Sequence, residues 1–161
     1  MHLQLSFFSD HNVSELSEDT LFKDSPAHEV MTHLGFDSFT NYNWACSVNI
    51  DKDFCDVLTD MKNLSDTYAE WEVSYCPNVT VGWDNNVRFH RFIPGVMKNN
   101  TPENFEKALL WAKDYIDTHP KVPKLITINS WNEWTETSYL EPDDLYGYGY
   151  LESIRKVFKN D

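Results

Sequence analysis

The feature that most constrains this chain is a repeated change of hydrophobic period. Stretches with apolar residues at helical spacing alternate with short extended stretches, in the order α-β-α-β-α-β-α. Ser25-Pro26 reads as a helix start and Gly35 as the residue that closes the helix. The stretch "FDSFTNYNW" then reads as a strand. Phe54, Val57, Leu58, Met61, Leu64 and Tyr68 give a second helix, with Asp51 as its expected cap. "VSYCPNVTV" is a second strand that Pro77 must interrupt, because proline cannot donate to a ladder. Thr101-Pro102-Glu103 opens a third helix, with Phe105, Ala108, Leu109, Ala112 and Ile116 on one face. Strand Leu125 to Asn129 follows, and a last helix from about Tyr148 to Phe158 is expected to turn Leu151, Ile154 and Phe158 inward.

Helices alternating with short apolar strands argue for a parallel sheet with helical crossovers, either doubly wound or part of a (β/α)8 barrel. Both architectures bind ligands at the carboxyl ends of their strands. All three polar-aromatic stretches fall there: Asn41-Tyr42-Asn43-Trp44, Gly82-Trp83-Asp84-Asn85-Asn86 and Trp131-Asn132-Glu133-Trp134-Thr135-Glu136. Residues 1–24 carry no such period and are expected to be irregular, which places one partial β/α domain at 25–161.

With 13 Lys plus Arg against 26 Asp plus Glu, the formal net charge is −13. That opposes nucleic acid and anionic membranes, whose recognition needs clustered cations. The N-terminus lacks a basic region ahead of a long apolar run, so neither a signal peptide nor a membrane span is expected and the chain as written reads as cytoplasmic. Cys46, Cys55 and Cys76 form no C-x-x-C pair and are expected to be buried thiols, and the six histidines show no ligand spacing. No metal and no cofactor is therefore expected. No G-x-S-x-G elbow and no glycine-rich phosphate loop is present.

The stretch "INSWNEWTETSYLEPDD" carries the chemistry. Glu133 and Glu136 are three residues apart, which brings their carboxyls within about 5–6 Å on a tight turn. A retaining glycosidase separates its two carboxyls by about 5–5.5 Å, one holding a proton and the other ionised. Sugars present apolar C–H faces and polar rims, so their sites pair flat aromatics with amides and carboxylates. Trp131, Trp134, Tyr139, Trp44 and Trp83 with Asn132, Asn43 and Asp84 match that mixture as candidate substrate-binding residues. Glu141, Asp143 and Asp144 flank Pro142 and read as a structural turn.

The run "ITINSWNEWTETSYLEPDDLYGYGYLESIRKVF" resembles the C-terminal signature of the family 99-like glycoside hydrolases, including the WbsX-type proteins of polysaccharide gene clusters. "NVTVGWDNN", "NTPENFEKALLWAKDYI" and "GFDSFTNYNWA" resemble that family's upstream stretches in the right order. The resemblance implies a (β/α)8 barrel acting on glycosidic bonds of an oligosaccharide or polysaccharide. It matches Glu133 to the group that deprotonates the sugar 2-hydroxyl and Glu136 to the group that protonates the leaving oxygen. This chain has Thr135 and Thr137 where that family commonly has His and Gly. An eight-stranded barrel takes about 250 residues, so a chain of 161 with three evident strands is expected to be the C-terminal portion of a longer barrel. Such a piece would expose two sheet edges and an apolar inner face through which it could associate. Two other functions stay open: a sugar transferase of polysaccharide assembly, and a non-catalytic carbohydrate-binding remnant.

Overall fold

A computed structural model describes residues 1–8 and 25–159. Among these, four α-helices form: α1 (Ala27–His33), α2 (Phe54–Tyr68), α3 (Pro102–Thr118) and α4 (Gly149–Phe158). Their ends follow capping chemistry. Asp53, rather than the expected Asp51, caps α2 by accepting the Cys55 N–H at 3.0 Å, and the Phe54 N–H donates to the Lys98 carbonyl. Thr101 caps α3 with Pro102 just inside, an arrangement that suits proline's missing N–H. Gly35 follows α1 with φ +77°, the left-handed conformation that glycine adopts without a Cβ penalty.

The strands are β1 (Gln4–Phe7), β2 (Ser38–Asn41), β3 (Ser74–Tyr75), β4 (Asn78–Thr80), β5 (Thr127–Asn129), β6 (Asn132–Glu133) and β7 (Ser138–Tyr139). The first five pair in parallel, β1 with β2, β2 with β3, and β4 with β5, while β6 and β7 form a small antiparallel hairpin. Pro77 divides β3 from β4, as its missing N–H requires. The Cys76 N–H still reaches the Phe39 carbonyl at 2.7 Å, and the Thr127 N–H reaches the Pro77 carbonyl at 3.0 Å. The segment 74–80 therefore pairs first with β2 and then with β5, and the wall runs β1, β2, β3/β4, β5 in chain order. The fold is mixed α/β, and no closed barrel forms among the described residues.

Two expectations are corrected here. Gln4–Phe7, part of the segment expected to be irregular, is a strand that pairs along its whole length with β2; four residues are too short for periodicity to register. Residues 9–24 of that segment lie outside the described residues. The second correction concerns the inner face, which is polar rather than apolar. Strand side chains alternate, so Leu5, Phe7, Phe39, Tyr75, Val79 and Ile128 pack toward the two apolar clusters. Thr40, Asn78 and Thr127 stand on the opposite face and bond to one another: Thr40 Oγ1 to Thr127 Oγ1 at 2.7 Å, and Asn78 Nδ2 to Thr127 Oγ1 at 3.0 Å. In a flat sheet, side chains two strands apart stand roughly 9–10 Å from each other. Contact between the hydroxyls of β2 and β5 means that the wall is curved, with this polar face concave.

In α4, Leu151 and Ile154 pack partly buried against the core as expected, whereas Phe158 is 41% exposed and the buried residues are Tyr150, Ser153 and Val157. The helix is seated on α3: a Cβ at Gly149 would stand 2.8 Å from the Pro102 ring, so the α4 backbone lies directly against that ring. Ser153 Oγ donates to the Pro102 carbonyl at 3.0 Å, and Tyr150 packs edge-on against Phe105. The thiols follow burial only in part, since Cys76 is buried but Cys46 and Cys55 are half-buried.

Candidate active site

The segment after β5 folds back on itself to make the candidate site. Asn132 and Glu133 of β6 pair with Tyr139 and Ser138 of β7. Between them, Trp134–Glu136 form a single 3-10 turn, and Thr137, at φ +53°, swings the chain into β7. Ser138 Oγ donates to the Asn129 carbonyl at 2.8 Å and Ser130 Oγ to the Ser138 carbonyl at 2.8 Å. These bonds anchor the hairpin to the end of β5. The loop after β4 closes on it as well: the Asp84 N–H donates to the Glu136 carbonyl at 2.8 Å, and Thr137 Oγ1 donates to the Asp84 carbonyl at 3.1 Å.

Glu133 and Glu136 are brought together by a residue that spacing did not single out. Arg88 donates through one terminal nitrogen to Glu133 Oε1 at 2.9 Å and through the other to Glu136 Oε1 at 2.8 Å. Its Nε donates to Thr135 Oγ1 at 2.8 Å, and the Thr135 hydroxyl in turn donates to Glu133 Oε1 at 2.6 Å. The two carboxyls differ in surroundings. Glu133 is half-exposed, and the Thr135 hydroxyl and then the Arg88 guanidinium hold its carboxyl below the ordinary glutamate value. Glu136 is buried, and its Oε2 has no hydrogen-bond partner. A buried carboxylate oxygen without a donor is costly, and Glu136 Oε2 is such an atom.

The aromatic wall is partly as expected. Trp134 stacks on Tyr139 with ring centroids 3.7 Å apart and 22° between planes. Trp134 Nε1 donates to Glu141 Oε2 at 2.7 Å, and the Tyr139 hydroxyl donates to Asp143 Oδ2 at 2.9 Å. Burial, and then the neighbouring Asp143, push the Tyr139 phenol up to about 12. Asp143 also accepts the N–H groups of Leu145 and Tyr146, as expected of a turn residue. Glu141 belongs to the aromatic wall instead, since it fixes the Trp134 indole. Trp131 is exposed, and its carbonyl accepts the N–H groups of Leu140 and Glu141; Asn132 is exposed on β6.

Four expected site residues come out differently. Trp44 is 0% exposed and belongs to the main core, tilted against Phe54 and edge-on to Trp111, with its Nε1 donating to the Asn78 carbonyl at 2.8 Å. It is a core tryptophan and not a ligand platform, because the strand end from which it springs turns toward the helices. Asn43 is equally buried; its Oδ1 accepts the Cys46 N–H at 3.0 Å and its Nδ2 has no partner. Burial raises the Cys46 thiol, and the Glu136 charge adds to it. Trp83 packs partly buried against the core. The Asp84 carboxylate is taken up by the backbone and side-chain N–H groups of Asn86 at 2.9 and 2.7 Å. Asp84 therefore serves the site through its backbone. Arg88 and Thr135 were missed. The one available signal is a cation in the strand-end loop of a chain with only 13.

Among the described residues no group of acidic, histidine or cysteine side chains is arranged to hold a metal ion. No helix among them is long and apolar enough to cross a membrane.

Residues 4–154 match the family described as Glycosyltransferase WbsX. The chain belongs to that family, which is related to the family 99-like glycoside hydrolases. Two curated relatives, each named uncharacterized protein WxcX, come from strains of Xanthomonas campestris pv. campestris. One is 28% identical over 113 residues, covering 67% of this chain and 16% of the relative. The other is 33% identical over 83 residues, covering 50% of this chain and 12% of the relative. The chain thus spans about a sixth or less of the length of these relatives. No solved structure matches.

Proposed function

We propose that this chain is the C-terminal part of a (β/α)8 barrel that acts on O-glycosidic bonds of an oligosaccharide or polysaccharide, with Glu133 and Glu136 as its catalytic pair. The observation that carries the reading is the pair itself. Two carboxyls share one guanidinium at a strand's carboxyl end, one half-exposed and one buried with a free oxygen, beside the stacked Trp134 and Tyr139. Such a difference in environment suits one carboxyl to act as base and the other as acid. The curved wall of parallel strands in chain order supports the barrel, because doubly wound sheets reverse their order at a switch point.

In this reading Glu133, held ionised, takes the proton of the sugar 2-hydroxyl as that oxygen attacks the anomeric carbon. Glu136 gives its proton to the departing oxygen. Water then returns along the reverse path, deprotonated by Glu136 as Glu133 gives back its proton, and configuration is retained. Trp131, Trp134 and Tyr139 would offer flat faces to sugar rings, and Asn132 would reach a hydroxyl. The part of the domain within this chain would include β1, since β1 pairs with β2 along its whole length.

The test is turnover of 4-nitrophenyl glycosides and oligosaccharides by the full-length protein. Glu133→Gln and Glu136→Ala should each cost on the order of 10²–10⁴ in kcat; parental rates in both variants would remove the pair from the chemistry. The family's description as a glycosyltransferase favours a second reading, transfer to a sugar acceptor. Product analysis with water against added acceptor sugars separates the two. Sugar binding without turnover that survives loss of both glutamates would favour a binding remnant.

A further inference from the structure

Arg88 is carried by the loop after β4, in a different β/α unit from the glutamates it touches. Its three hydrogen bonds go to three consecutive parts of one apparatus: Thr135, Glu136 and Glu133. The side chain is 41% exposed, so it contributes little to a core, yet all three bonds are short. The Thr135 hydroxyl closes a ring, accepting from Arg88 and donating to the Glu133 oxygen that Arg88 also holds. A planar fork with fixed donor directions restricts both carboxylates far more than a lysine point charge would. Each glutamate is gripped by its Oε1, which leaves the Oε2 of each outside the guanidinium fork. For Glu136 that second oxygen is the buried atom with no partner.

We propose that Arg88 is a positioning residue of the glutamate pair: its guanidinium fixes the separation and relative orientation of Glu133 and Glu136. The inference rests on the reading of the pair as catalytic. It assigns Arg88 no contact with the sugar. Because the guanidinium also favours the charged form of Glu133, its removal has a signature that a purely structural contact lacks. The acid limb of the pH–rate profile, which reports ionisation of the base, moves to higher pH when the cation is lost.

The experiment compares Arg88→Lys, Arg88→Gln and Arg88→Ala with Glu133→Gln and Glu136→Gln in the full-length protein. It uses 4-nitrophenyl glycosides as probes and records kcat and KM across pH, with a thermal melt of each variant. The expected result is a fall of tenfold or more in kcat for Arg88→Gln and Arg88→Ala, with KM changed less than threefold and the acid limb displaced upward. Arg88→Lys should keep the parental limb while recovering part of kcat. An unmoved limb in Arg88→Gln, alongside inactive glutamate variants, overturns this inference and leaves the catalytic pair standing. Collapse of the melt in all three Arg88 variants overturns it too, because the contact is then structural. Parental rates in the glutamate variants would instead sink the reading of the pair, and the role of Arg88 with it.

Discussion

Replacing Trp44 by Phe separates a core tryptophan from a sugar platform. The ring is fully buried, and its Nε1 donates to the Asn78 carbonyl in the middle of the wall. Phenylalanine has no donor, and a buried carbonyl deprived of its partner costs about 1–3 kcal/mol. The smaller ring also leaves a void beside Phe54 and Trp111, worth about 1 kcal/mol at some tens of Å³. Together the loss is about 2–4 kcal/mol, which for a domain of this size lowers the melting temperature by about 5–15 °C. Thermal melts followed by circular dichroism read this directly, with Trp134→Ala as the contrast. Trp134 is 44% exposed, so its removal should cost no more than the stacking on Tyr139, about 0.5–1.5 kcal/mol, while weakening sugar binding. The reasoning is refuted if Trp44→Phe melts with the parent yet loses affinity for sugar.

Two further outcomes follow from the site's supports. At Gly82 a Cβ would stand 2.3 Å from Asn100 Nδ2 and 2.5 Å from the Thr137 carbonyl, so Gly82→Ala should displace the turn that carries Glu136. The expected cost is about 1–3 kcal/mol in urea unfolding together with a loss of turnover; parental values for both would show that the turn yields freely. For Glu133, whose carboxyl is held low by Thr135 and Arg88, the sign is that of a depressed acid. Its contribution to stability is complete above the ordinary glutamate value and is lost as pH falls through the lower, folded value. The difference in melting temperature between the parent and Glu133→Gln should therefore be steady near neutrality and shrink in that acid window, and a difference that grew with acidity would contradict the assignment.

The helices were legible because their signals are local. Asp and Thr caps, Pro102 and apolar residues at helical spacing act within one element, and α2 and α3 lie within a few residues of their expected bounds. What was illegible required two elements at once. The burial of Tyr150 and Ser153 on α4 depends on the Phe105 ring and the Pro102 carbonyl of α3. The strand Gln4–Phe7 becomes a strand by pairing with residues some 34 positions away. The burial of Trp44 depends on where its loop turns after β2, which spacing does not encode. The candidate site divides the same way. The glutamate pair, Trp134 and Tyr139 lie within seven residues and could be read together, whereas Arg88 arrives from 45 positions upstream to Glu133.

The contact between Thr40 and Thr127 has a consequence for the open edge. An unpaired parallel strand is ordinarily a template for any extended chain that drifts past. Among the described residues β5 has such an edge, but the strands leading to it are bent by two hydroxyls meeting over an intervening strand. A flat ribbon laid against β5 would diverge from that arc within a strand or two, whereas a strand that continues the arc keeps every hydrogen bond. Two threonines, neither charged nor exposed, thereby act as a shape filter on what can extend this wall.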